Sequence, residues 1–222
     1  RDNENEVPAP QELKIEDYFP IRENVRYIYE GEGNEYASYN LFIDYTAENR
    51  VQQRIDNGGT VTAAVIELSG GRLTRLLQRG EVYYRENLLQ VKDGDGEILL
   101  MEPVKSGTVW TIADSRTRTR TDTEADITTP LGGFKAIEVV TKGENDKTVD
   151  YYVKDIGLVK TVFVSENTEI TSSLSRIEEG ASLTQSISFF YPDINSNKIY
   201  YRNKDISFKT NDITRKVMET AY

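Results

Sequence analysis

Residues 50–79 read RVQQRIDNGGTVTAAVIELSGGRLTRLLQR. Three runs of strand-favouring residues are separated by Asn57-Gly58 and by Gly70-Gly71. Asn-Gly supplies the positive φ angles that a tight hairpin turn needs, and a Gly pair does the same without a Cβ penalty. The pattern therefore predicts strands over 50–56, 60–68 and 72–79, joined by local turns and running antiparallel.

The same rhythm extends in both directions. Residues 24–30 place Val25, Tyr27 and Tyr29 on one face and Arg26, Ile28 and Glu30 on the other, with Gly31 and Gly33 at a turn. A long strand over 36–46 follows. Beyond residue 79, strands are expected over 81–85, 88–92 and 97–101, the last two flanking the Asp93-Gly94-Asp95-Gly96 tip. A second group holds 109–127, either one very long strand or two strands with a bulge, because Trp110 and Ile112 lie on the opposite parity from Ala125 and Ile127. Strands over 134–141, 149–154, 158–164 and 169–177 complete it. No strand-helix-strand alternation occurs, and no long periodic helix precedes residue 210. The expected fold class is mainly β: residues 13–177 form a strongly curved antiparallel sheet or partial barrel.

The flanks differ. Residues 1–12 open with RDNENEVPAPQ, polar and without periodicity, and read as a flexible leader; the start at Arg1 reads as a processed product. Residues 178–185 read as a linker. Residues 186–222 read as a small, incomplete α+β segment, with strands over 186–191 and 199–202, a turn over 192–197, and a helix from Ile213 capped by Asn211-Asp212. About 40 residues rarely enclose a core alone, so this segment is expected to dock on the first domain or to pair with a second copy as a homodimer.

Composition removes whole function classes. The chain of 222 residues has no Cys and no His, which excludes thiol and imidazole nucleophiles, imidazole general bases and the usual zinc sites. With 27 Lys and Arg against 37 Asp and Glu, the net charge of −10 opposes nucleic-acid binding. No apolar run approaches 18 residues, so no membrane-spanning helix is expected. The 14 Tyr suit strand packing or a recognition surface for carbohydrate or peptide. No Ser-hydrolase motif or phosphate-binding Gly-rich loop stands in its required context. The chain is expected not to be an enzyme and to need no cofactor.

Two clusters carry site readings. Arg116, Arg118 and Arg120 repeat with period 2 on one sheet face, about 6.6 Å per step, and form a candidate anion-binding row for teichoic acid, phospholipid head groups or another anion. The same row suits pairing with Asp122, Glu124 or a neighbouring strand. Asp93, Asp95 and Glu97 alternate with Gly, as in a flexible Ca²⁺ loop, but Ile98 and Val104 stand where an EF-hand needs Gly and Glu. A plain hairpin tip explains the same residues, so no metal site is assigned.

Tyr18-Phe19-Pro20, VRYIYEG at 25–31, GTVWTI at 107–112, TPLGGF at 129–134 and YYVKDIGLVK at 151–160 together resemble envelope lipoproteins of Gram-positive bacteria. Arg26 departs from the aromatic usual at its position. ISFFYPD at 187–193 and Ile199-Tyr200-Tyr201 resemble the opening of the GerMN domain of sporulation and germination lipoproteins. The resemblance implies a non-catalytic extracytoplasmic binding or scaffold protein, lipid-anchored in its precursor, whose partner is an envelope protein or cell-wall component. Two alternatives remain open: a carrier of a lipid or other small apolar ligand in a curved-sheet cavity, and a cell-wall glycosidase using paired carboxylates.

Overall fold

The computed structural model describes residues 12–83, 86–92, 96–180, 191–193, 198–201 and 204–207. Twelve of its strands form one antiparallel sheet. The first six are β1 (Val25–Glu32), β2 (Tyr39–Ala47), β3 (Arg50–Asp56), β4 (Val61–Ser69), β5 (Arg72–Arg79) and β6 (Glu97–Met101). The second six are β7 (Val109–Thr111), β8 (Thr117–Thr129), β9 (Gly132–Lys142), β10 (Asp146–Val153), β11 (Gly157–Ser165) and β12 (Thr168–Glu179). Each half is a simple meander, and β1 pairs with β12 to join them, so the order runs β6-β5-β4-β3-β2-β1-β12-β11-β10-β9-β8-β7.

Local chemistry sets the turns. Gly70 and Gly71 form the two-residue β4–β5 connection with φ of 57° and 69°, the left-handed pair that matches the twist of a hairpin. Asn57 turns β3 into β4, its Oδ1 accepting from the backbone N–H groups of Gly59 at 3.0 Å and Thr60 at 2.9 Å. Gly31 lies inside β1 rather than at its turn, and there a Cβ would stand 2.1 Å from the Ala37 carbonyl carbon.

The sheet curls until its two edge strands, β6 and β7, face each other. They share no ladder. Their junction is made by side chains: Trp110 Nε1 donates to the Ile98 carbonyl at 3.0 Å, Arg118 donates to the same carbonyl, and Arg120 donates to the Met101 carbonyl at 2.8 Å and to that of Pro103. A buried edge must satisfy its backbone groups, and these donors serve carbonyls of β6 and of the residue run beyond it. A 3-10 turn, Ile15–Tyr18, packs at one end of the curl, with Ile15 and Tyr18 against Leu73, Leu100, Trp110, Ile112 and Ile137. Asp155 N–H donates to the Asp17 carbonyl at 2.7 Å and fixes that turn to the β10–β11 connection.

Of the two forms expected for 109–127, the structure takes the two-strand one: a 3-10 turn, Ala113–Ser115, separates β7 from β8, and β8 carries register shifts at Asp122; this is how Trp110, Ile112 and Ile127 all reach core clusters despite their parity. Other expectations need correction. Residues 81–83 and 88–92 are not strands. Side chains of β3 hold this segment across the sheet instead: Gln52 Nε2 donates to the Glu86 carbonyl at 2.7 Å, and Arg50 Nη1 to those of Leu89 at 3.0 Å and Val91 at 2.8 Å. Once side chains take those carbonyls, the segment has less to offer a ladder. Glu178 and Glu179, expected in a linker, continue β12 and pair with Arg26 and Val25.

In the C-terminal part, β13 (Tyr191–Asp193), β14 (Lys198–Tyr201) and β15 (Lys204–Ser207) form a separate three-stranded antiparallel sheet. The third strand was not expected. The expected leader (apart from Glu12), most of the linker, the strand residues 186–190 and the helix from Ile213 lie outside the described residues.

Candidate functional site

Inside the curl lies an apolar cavity of about 90 Å³. Tyr27 and Tyr29 of β1, Leu41 and Ile43 of β2, Leu73 of β5, Leu99 of β6, Tyr152 of β10 and Leu158 of β11 contribute to its wall, and Phe19 and Pro20 stand beside the 3-10 turn. Period 2 explains the selection: each strand offers alternate residues to the concave face.

Moving one step along several of these strands changes the chemistry. Leu73 gives way to Arg75, Leu99 to Glu97, Tyr152 to Asp150 and Leu41 to Tyr39. On β11 a register shift opposite Tyr151 and Tyr152 brings Thr161 into line with Asp150. The result is a polar layer beside the apolar one. Within it Glu97 is bonded by both Arg75 and Arg118, and Arg118 Nε donates to Thr141 Oγ1 at 2.9 Å. Thr161 Oγ1 donates to Asp150 Oδ1 at 2.7 Å. The rings of Tyr29 and Tyr39 stack with centroids 4.4 Å apart, and Tyr29 Oη donates to the Leu158 carbonyl at 2.7 Å.

The two carboxyls of this layer titrate in opposite directions. Burial pushes Asp150 above its ordinary value; Thr161 and the Arg118 and Arg75 guanidiniums offset this only in part. Burial also acts on Glu97, but Arg118 and Arg75 together outweigh it and hold that carboxyl below its ordinary value. The Tyr39 and Tyr152 hydroxyls are raised, first by burial and then by the nearby Asp150 charge.

The arginine row divides. Arg116 precedes β8 and is exposed, whereas Arg118 and Arg120 turn inward and are buried. Arg120 is fully enclosed, donates to the Met101 and Pro103 carbonyls, and stands with its guanidinium carbon 5.8 Å from the centroid of the Trp110 ring. The period-2 reading placed all three on one sheet face; Arg118 and Arg120 do share a face of β8, but it is the interior, and Arg116 lies before the strand, so only Arg116 of the three offers its side chain to solvent. Asp93 and Asp95 lie outside the described residues, and Glu97 is committed to Arg75 and Arg118. Of the tyrosines that suited either strand packing or a recognition surface, Tyr18, Tyr27 and Tyr29 are buried and Tyr36 is exposed.

Sequence reasoning named neither Asp150 nor Arg75. Asp150 could have been found as the one charged residue between Val149 and the Tyr151-Tyr152 pair of a buried strand.

No family model matches the chain, and no curated protein matches it. Two solved structures are similar. A protein of Bacteroides fragilis NCTC 9343, described as exported and as having a YmcC-like fold, aligns at 13% identity with a TM-score of 0.43, over 73% of this chain and 99% of its own. A protein of Parabacteroides distasonis ATCC 8503, described as a lipoprotein, aligns at 14% identity with a TM-score of 0.36, over 72% of this chain and 98% of its own. Neither description mentions Gram-positive bacteria, a GerMN domain or sporulation. Among the described residues no helix is long and apolar enough to cross a membrane.

Proposed function

We propose that this is a non-catalytic extracytoplasmic binding protein whose curled sheet takes up the apolar end of a small amphiphile. The cavity carries this reading. Its wall is drawn from several separate strands, and its lining is mostly hydrocarbon and aromatic, with Gln53 as a polar exception. At about 90 Å³ it is smaller than the roughly 300–1,000 Å³ of a full ligand pocket, so it suits a chain end or a single ring rather than a whole lipid. The extracytoplasmic setting rests on the resemblance of residues 17–164 to envelope lipoproteins.

The competing reading is a glycosidase, and one observation favours it: Glu97 and Asp150 share one interior, and their surroundings push their titrations apart, as in an acid–base pair. Glu97, however, is held by two guanidiniums, which stabilise its anion and occupy the oxygens a nucleophile or base would use.

The test is uptake of a hydrophobic fluorescent probe, such as N-phenyl-1-naphthylamine, by the folded protein. Uptake that is displaced by dodecyl compounds and lost in Leu99→Trp, with the fold retained by circular dichroism, supports the binding reading. No uptake by the wild-type chain overturns it. Glycan hydrolysis abolished by Asp150→Asn would replace it with the enzyme.

A further inference from the structure

We infer that the polar layer is a headgroup subsite, and that it selects amphiphiles whose polar end donates a hydrogen bond. This rests on the cavity reading above and adds which ligand end is recognised and by what.

The argument starts from the layering. Asp150 and Tyr152 are two apart on β10 and share a face. Tyr152 lines the apolar cavity, so Asp150 lies about 7 Å farther along the same inner surface. Tyr39 bears the same relation to the cavity-lining Leu41 on β2. A ligand with its hydrocarbon among Leu41, Leu73, Leu99 and Leu158 would thus present its polar end to Asp150, Tyr39 and Tyr152.

The valences of that layer decide what the polar end is. Arg75 and Arg118 are the cations of the layer, and both are committed to Glu97. Arg118 also donates to Thr141 and to the Ile98 carbonyl. An anionic headgroup would have to compete for donors already engaged. Asp150 is different. Thr161 donates to Oδ1, and among the described residues no donor reaches Oδ2. Asp150 faces inward yet keeps part of its surface accessible. The Tyr39 and Tyr152 hydroxyls, close enough to feel its charge, donate no hydrogen bond to it. A carboxylate with an open acceptor in a low-dielectric interior gains most from an O–H or N–H donor and discriminates against a group that only accepts. The ligand class is therefore a short-headed alcohol or ammonium amphiphile.

The test uses four dodecyl probes with the full chain: 1-dodecanol, dodecylammonium, the acceptor-only 1-methoxydodecane, and dodecane, each measured by displacement of the fluorescent probe. Either donor is expected to bind at least tenfold more tightly than the methyl ether, and whichever of the two leads identifies the headgroup. Asp150→Ala should erase the preference while leaving affinity for the ether within about twofold. Tyr152→Phe should retain most of it, which separates the carboxylate's role from simple repacking. Equal affinities of all four for the wild type would overturn the subsite and leave the cavity reading standing. Absence of binding by any of the four would overturn both.

Discussion

Trp110 and Ile98 join the two free edges of the sheet: the indole N–H of β7 donates to the backbone carbonyl of β6 at 3.0 Å, between strands that belong to no common ladder. Arg118 donates to the same carbonyl from β8, so one oxygen receives donors from two strands of the opposite edge. A carbonyl has two lone pairs, and this arrangement uses both. The curl is thus held by side chains, where a closed barrel would use its backbone.

Removing those donors should loosen the seam before it affects the rest. Trp110→Phe keeps most of the ring and strips the N–H, and should cost about 1–2 kcal/mol. Arg118→Met removes one of the two cations holding the part-buried Glu97 carboxylate, and should cost more, about 3 kcal/mol. Urea unfolding measures both. Amide exchange should accelerate first over residues 97–101. Uniform acceleration across all twelve strands would mean that the seam has no separate stability.

The meander was legible because turn chemistry is local. Asn57-Gly58, Gly70-Gly71 and the alternation of Val25, Tyr27 and Tyr29 each announce a strand end or a buried face within a few residues. The seam was not legible, because Trp110 and Ile98 are joined across the curl and no local pattern marks the two strands as edges. The arginine row shows the same limit: period 2 placed Arg118 and Arg120 on one face but could not say whether that face was inside. The polar layer escaped for a third reason. Arg75, Glu97 and Asp150 come from three strands, and each alone resembles a solvated charge.

Glu97 should make stability sensitive to acid. Its folded-state carboxyl titrates below the ordinary value of 4.5, so its contribution is fully present above that value and is lost as pH falls through the folded one. The difference in unfolding free energy between wild type and Glu97→Gln should be constant near neutrality and shrink below pH 4.5. A difference independent of pH from 3 to 7 would show that the Arg75–Glu97–Arg118 cluster is not responsible.

Asp150 should behave in the opposite sense. Its folded-state carboxyl titrates above the ordinary value of 3.8, so protonation favours the folded state, and that contribution is lost as pH rises through the folded value. Asp150→Asn keeps an acceptor for Thr161 and removes the charge. The variant should be more stable than wild type at pH 7, with the gain vanishing as pH falls to 3.8. A loss of stability at pH 7 would show that the ionised carboxylate is favourably held, and would count against an open acceptor in the interior.

The outer face carries the most enclosed ion pair among those described, Arg54 with Asp44, at 2.9 Å and 3.3 Å, each side chain 2% exposed. Arg54 also lies over the Phe42 ring at 4.6 Å. The neighbouring Gln52 binds the 86–91 segment through the Glu86 carbonyl and the Leu88 N–H. Two desolvated charges cost much of what their attraction returns, so the pair is expected to add little net stability, while removing one member takes a charge-assisted contact from a buried setting. Asp44→Ala should therefore cost about 3–5 kcal/mol, and Arg54→Met a similar amount. The joint replacement Asp44→Leu with Arg54→Met should cost less than their sum, because side chains in direct contact are coupled and each single replacement already removes the shared contact. Urea unfolding of the four proteins closes the cycle. Additive costs would mean that the two side chains act independently and that water still reaches the pair.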